Sequence, residues 1–251
     1  MKINNEMYMQ HKWCIPGNCS LVLTLYMVIM GAGLSVTHWG KSIGYSDPGF
    51  LSTISPWTAL LAVLVLFVQL RERKILRIQQ GHRSQYRIYV IVTVPIALVA
   101  GSAVIERPSF MTPVMMWMPF LIGIAEEGMY RGILLPSLLK KKSVNAAIFI
   151  SALWFSLLHS LNLLAGQPFQ AVLIQLLLTF LTGLYYGAIY LRIRRLTPLV
   201  LQHGLWDLVA CSGILERVSW TGPVMLGISI LQAIFAAVLM RSYRGKNADA
   251  L

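Results

Sequence analysis

Glu126, Glu127 and Arg131 stand within a few residues of one another, with apolar sequence at 114–124 before them and at 132–139 after them. A charge in the middle of a membrane helix costs at least about 2.5–3.5 kcal/mol on insertion scales. Three such groups need internal partners, and they suggest chemistry. On a helix, Glu127 and Arg131 share a face with the acid on the N-terminal side, the better orientation for a pair. Glu126 points about 100° away, onto the face of Tyr130. One glutamate can therefore neutralise Arg131 while the other stays free for a proton or a ligand. A structural ion pair between helices would account for Glu127 and Arg131, but not for the second glutamate.

The remaining ionisable residues inside apolar stretches are few. His159 lies in the fifth stretch, and His203 and Asp207 lie in the seventh. The second, third, sixth and eighth stretches have none, and His38 sits at the edge of the first. This confinement argues for one shared polar site in a helix bundle. Phe155 and His159 share a face of their helix. His203 and Asp207 share a face of theirs, so Asp207 can accept the second ring N–H of His203 and hold the imidazole. A single membrane histidine is more often a helix–helix hydrogen bond than a ligand; two histidines beside two glutamates reverse that expectation. His159, His203 and one of the two glutamates make a zinc set with one position left for water. The other glutamate is then available as a general base, as in the H-E-x-x-H proteases.

The motifs Glu126-Glu127-x-x-x-Arg131, Phe155-x-x-x-His159 and His203-x-x-x-Asp207, in this order, resemble those of the CPBP family. These are the CAAX protease and bacteriocin-processing intramembrane proteases, also called Abi. The resemblance covers residues 111–214. It implies catalytic roles for Glu126, Glu127, His159 and His203, with Glu126 leading and Arg131, Phe155 and Asp207 in support. The last motif position in the family is Asn or Asp, and here it is Asp207. The resemblance leaves two chemistries open: a metal held by Glu126, His159 and His203, with zinc the expected ion, or a water activated by glutamate alone.

The composition requires a membrane setting for this site. Of 251 residues, 57% are hydrophobic and 12% charged, with a mean hydropathy of +0.66. A soluble domain carries about 25% charged residues. An all-α, polytopic bundle of about eight spans is expected, at residues 19–38, 51–70, 88–105, 111–139, 144–164, 169–191, 198–215 and 222–240. The first is read as a retained span, without a signal-peptide cleavage site. Pro95, Pro119 and Pro136 predict kinks or breaks. Gly183 and Gly187, four residues apart, predict a close helix crossing. Cys14, Cys19 and Cys211 match no metal motif and are read as free thiols. Residues 1–110 are read as membrane helices for access and support, 111–214 as the catalytic core, and 215–251 as the last span with a tail.

The net charge of +12 is not read as nucleic-acid binding, because the basic residues cluster at span ends, where they set topology and meet anionic lipid. The expected partners are the bilayer and a peptide or membrane-protein substrate, and the compact form suggests a bacterial cell membrane. A non-catalytic bacteriocin-immunity protein or regulatory scaffold, and a proton-coupled transporter, are the competing readings. A transporter should carry polar groups on several pore-lining helices, and four of the spans have no ionisable residue. Basic residues crowd after the second, fourth, sixth and eighth spans, whereas the other loops hold only Lys41, Arg107 and Arg217. Both termini are therefore expected in the cytoplasm. Reporter fusions after Gly81, Arg195 and the C-terminus should score cytoplasmic and one after Gly166 external; an external C-terminus would sink this topology.

Overall fold

The structure is a computed structural model that describes residues 18–71, 86–108 and 111–245. Arg73, Lys74, Arg77 and Arg83 of the basic stretch, the prefix with Lys2, Lys12 and Cys14, and Lys246 of the tail lie outside the described residues. The described chain is helical, with no strand among its residues. Its order is α1 (Asn18–Ser35) with a π-helical end (Val36–Gly40), α2 (Phe50–Arg71), α3 (Arg87–Glu106), and α4 (Pro113–Glu127), which runs through a π-helical segment (Gly128–Leu134) into α5 (Leu135–Leu139). Then come α6 (Val144–Leu158) with a 3-10 extension (His159–Ala165), α7 (Phe169–Ile193), α8 (Leu196–Ser212), α9 (Ile214–Arg217) and α10 (Thr221–Ser242).

Six of these helices are long and apolar enough to cross a membrane: Cys19–Gly40, Phe50–Arg71, Arg87–Glu106, Val144–Ala165, Phe169–Ile193 and Thr221–Ser242. The protein is an integral membrane, all-α bundle. The other two expected stretches do form helices, at residues 113–139 and at Leu196–Ser212, but neither meets the same standard. The first carries Glu126, Glu127 and Arg131, which dilute its apolar character. The second is 17 residues long. It follows Arg194, whose φ of 58° ends α7, and it stops at Gly213, whose φ is 66°. That left-handed glycine places the helix end before Leu215, where the apolar run alone had suggested it would finish.

The packing is apolar on both sides of the helices. Leu21, Val63, Phe67, Leu98, Leu177 and Leu226 are all exposed on the outer faces. An apolar exterior of this kind suits lipid. Arg131, Glu127, Glu126 and His203 are buried instead. Tyr45 N–H bonds Ala165 O at 3.0 Å, and Arg217 pairs with Glu106 at 3.2 Å. These contacts tie together loops at the end of the bundle that holds Lys41, Arg107 and Arg217.

Two glycine-lined crossings set the helix spacing around the interior. At the α4–α8 crossing, a Cβ on Gly204 would fall onto the ring of Phe120, and one on Gly123 would lie 3.0 Å from Val200 O and 3.4 Å from the His203 Cβ. At the α6–α7 crossing, a Cβ on Gly183 would lie 3.1 Å from Ala152 Cα, and one on Gly187 would lie 3.1 Å from Ile148 Cγ2. Small residues let helix backbones approach closely in lipid, where hydrophobic attraction between helices is absent. Pro95 and Pro119 both sit inside helices that continue past them. The packing gives a direct test. Gly204→Val should lower thermal stability by about 1–3 kcal/mol, the usual cost of overpacking, and should push His203 away from the glutamates. Gly227→Ala, where a Cβ meets nothing within 4 Å, should leave the melting temperature unchanged or slightly raised. Equal melting behaviour of the two variants would refute the crossing argument.

Candidate active site

The site begins with a change in helix geometry. The α-helical register of α4 holds to Glu127, and residues Gly128–Leu134 then widen into π-helix, a rare form that is frequent at functional sites. Pro136 follows at the start of α5. Its ring excludes the carbonyl four residues earlier and it offers no N–H, so the wider turn comes just before it rather than a break at it. Two side chains from other helices bond carbonyls of the widened segment. Gln69 Nε2 donates to Gly128 O at 2.8 Å, and Ser151 Oγ donates to Tyr130 O at 3.0 Å. Gly128 and Gly132 let α2 come close: a Cβ on Gly132 would run into the Gln69 amide, and one on Gly128 into the Val65 side chain with that amide 3.0 Å away. The whole segment is buried.

This geometry holds Arg131 in the interior with no exposure. Its Nη1 donates to Glu127 Oε1 at 2.9 Å, and its Nη2 donates to Gly183 O at 3.2 Å. The guanidinium carbon lies 4.3 Å from the centre of the Phe155 ring and 5.3 Å from that of Tyr186. Gly183, expected only as a packing residue, therefore also supplies a carbonyl to the cation.

Glu127 links the cation to the imidazole. The same Oε1 lies 2.8 Å from His203 Nδ1. A carboxylate oxygen can only accept, so Nδ1 carries the hydrogen. The other ring nitrogen, Nε2, lies 3.4 Å from Asp207 Oδ2 and 3.7 Å from Glu126 Oε2. The expectation gave Asp207 the task of holding the His203 ring. In the structure Glu127 makes the shorter contact, and Asp207 stands at the opposite nitrogen beside Glu126. Glu126, Glu127, Arg131, His203 and Asp207 thus form one connected network across α4, the π-helical segment and α8.

His159 joins this network indirectly. It stands where α6 tightens into the 3-10 extension, and its Nδ1 donates to Phe155 O at 3.0 Å. Its Nε2 is therefore the nitrogen left to accept. The Phe155 ring centre is 5.2 Å from that of His159 and 6.0 Å from that of His203. His159 is within electrostatic reach of His203 and Asp207. His159 is only partly buried, and the Asp207 side chain is 22% exposed, so these two mark the open side of a site whose floor is closed.

The donor set decides how a metal would fit. Among the described residues, no three His, Cys, Asp or Glu side chains are arranged to hold a metal ion. His203 commits Nδ1 to Glu127, and Nε2 faces Asp207 and Glu126 rather than His159. The set of Glu126, His159 and His203 does not close in this arrangement. Glu126 Oε2 and Glu127 Oε2 are instead buried acceptors without a hydrogen-bond partner. Cys19 and Cys211 are free thiols; Cys14 is outside the described residues.

Residues 108–209 match the profile of the Rce1-like family, described as type II CAAX prenyl endopeptidase Rce1-like. This segment is similar to that family, the one whose motifs the sequence resembles. No curated protein and no solved structure matches the chain. The matched segment contains every residue of the charged network and ends two positions beyond Asp207. Three residues around the site were not expected from sequence: Tyr186, whose ring meets Arg131 and His203, and Gln69 and Ser151, which bond the π-helical segment. They are neutral, and the search for intramembrane charge passes over neutral residues. Gln69 has a signal in hindsight, as a polar side chain near the end of an apolar span. Arg131→Ala strands Glu127 in a dry interior, so it should destabilise the protein by about 3–5 kcal/mol, read as lower thermal stability and lower membrane abundance. A double Arg131→Met/Glu127→Leu variant should recover much of that loss. Failure of the double variant to recover stability would show that the aromatic and carbonyl contacts of the guanidinium dominate over the ion pair.

Proposed function

We propose that the protein is an intramembrane endopeptidase that cleaves a peptide or membrane-anchored protein with a water activated by Glu126. The observation that carries this reading is the buried Glu126 Oε2, unpartnered and 3.7 Å from His203 Nε2. The match of residues 108–209 to an endopeptidase family supports the same reaction class.

The chemistry follows from the residues. Water bound at Glu126 gives its proton to the carboxylate as its oxygen attacks the scissile carbonyl carbon. The carbonyl oxygen becomes an oxyanion, and His203, protonated on both ring nitrogens beside Glu127 and Asp207, donates Nε2–H to it. The carbon–nitrogen bond then breaks, and the proton on Glu126 passes to the leaving amine. The products are a carboxylic acid and an amine, and Glu126 returns to its starting form. Glu127 fixes the His203 ring through Nδ1, and Arg131 balances the charge of Glu127. A zinc ion at this place would supply Lewis-acid polarisation of the carbonyl; the reading proposed here does not use one. We place the basic end of the bundle on the cytoplasmic side, following the distribution of lysine and arginine.

Glu126→Gln keeps the size of the side chain and removes the base. It should lower cleavage by about 100-fold or more without changing membrane abundance. The measurement is peptide and membrane-protein profiling of cells carrying wild type or Glu126→Gln, followed by assay of the purified proteins on the peptides that differ. Full activity of Glu126→Gln would overturn the endopeptidase reading. Activity should also survive verified metal removal; a loss that zinc reverses would restore Glu126, His159 and His203 as a ligand set.

A further inference from the structure

α1 precedes the matched segment and carries no Asp, Glu, Lys, Arg or His. It nevertheless brings a polar group to the site. Tyr26 of α1 has no exposed surface, and its hydroxyl has no hydrogen-bond partner. Its ring meets that of Tyr130 edge-on, with centres 6.2 Å apart and planes at 76°. Tyr130 is four residues after Glu126, so α1 packs against the side of the chain on which Glu126 lies. The hydroxyl of Tyr130 is itself engaged with Met27 Sδ at 3.8 Å. That of Tyr26 is not engaged, and it lies within electrostatic reach of Glu126 and Glu127.

One buried donor and one buried acceptor, Tyr26 Oη and Glu126 Oε2, are thus both unpaired in the same interior region. Each such group costs about 1–3 kcal/mol when left unsatisfied, and buried polar groups in folded proteins nearly always find a partner. A phenylalanine at position 26 would fill the same space and make the same ring contact without that cost. The hydroxyl therefore calls for a use beyond packing.

We propose that Tyr26 is a positioning residue whose hydroxyl holds the hydrolytic water against Glu126. This inference rests on the endopeptidase reading. Tyr26 donates its O–H to the water oxygen, and the water donates one hydrogen to Glu126 Oε2. One lone pair of the water remains, and its direction is fixed by the two contacts. Polar neighbours of this kind are what a buried water requires. No proton is lost from Tyr26 in the cycle. It aligns the attack, and Glu126 takes the proton.

The test uses the full chain in lipid nanodiscs with a quenched-fluorescent peptide ending in a prenylated CAAX sequence. Tyr26→Phe should lower kcat by about 10- to 100-fold through misalignment, leave KM within about twofold, and leave the melting temperature equal or higher. Unchanged kcat in Tyr26→Phe, with Glu126→Gln inactive, would overturn the role of Tyr26 and leave the endopeptidase reading standing. Activity in Glu126→Gln would remove the reading on which both depend. A second measurement is independent of any substrate. The carboxyl infrared band of Glu126, assigned by its loss in Glu126→Gln, should shift in Tyr26→Phe. If wild type does not cleave the peptide, that band decides: a shift supports the water bridge, and an unmoved band overturns it.

Discussion

The burial of Arg131 is the constraint on which the interior of this protein depends. A guanidinium with no exposure must receive acceptors and polarisable surface from all around it, because the lipid supplies none. Four parts of the fold meet that need: Glu127, the carbonyl of Gly183, and the rings of Phe155 and Tyr186. They come from α4, α6 and α7, so the relative placement of three helices is tied to one side chain. A buried ion pair is weak evidence for stability in itself. Its effect here is positional, since the oxygen that pairs with Arg131 is also the oxygen that holds His203.

The widened helical segment makes that arrangement possible. Within the widened segment Tyr130 O accepts from the Leu135 N–H and also, through its second lone pair, from Ser151 Oγ, and Gly128 O accepts from Gln69. The glycines at 128 and 132 let α2 come close enough for Gln69 to reach in. Local irregularity is thus matched by side chains placed on neighbouring helices, and the charged residues are held within a well-packed interior.

The sequence made some of this legible and hid the rest, for physical reasons. The helices were readable because apolar runs near twenty residues long have few alternatives in a membrane protein. Their ends were readable where glycine or basic residues interrupted the run, though the left-handed Gly213 ended α8 earlier than the apolar pattern did. The convergence of Glu126, Glu127, Arg131, His203 and Asp207 was readable because charge is expensive in lipid and must gather. The division of labour at His203 was not. Spacing alone favoured Asp207 as the group holding the ring, since it is on the same helix. The shorter contact comes from Glu127, across the crossing that Gly123 and Gly204 bring close. Neutral partners such as Gln69 and Tyr26 were also hidden, because a single glutamine or tyrosine in an apolar run carries no signal of which helix it will meet.

Gln69 lies nearly forty residues before the start of the family match, yet its amide lies against two glycines inside that match. The limits of the match therefore describe where ancestry can still be read, and the unit that folds is larger. A lineage that exchanged its leading helices for unrelated ones would keep the charged motifs and lose the side chain on which the π-helical turn closes. Substitutions at positions 69, 128 and 132 should then travel together through evolution, even though one of them falls in sequence with no family resemblance of its own.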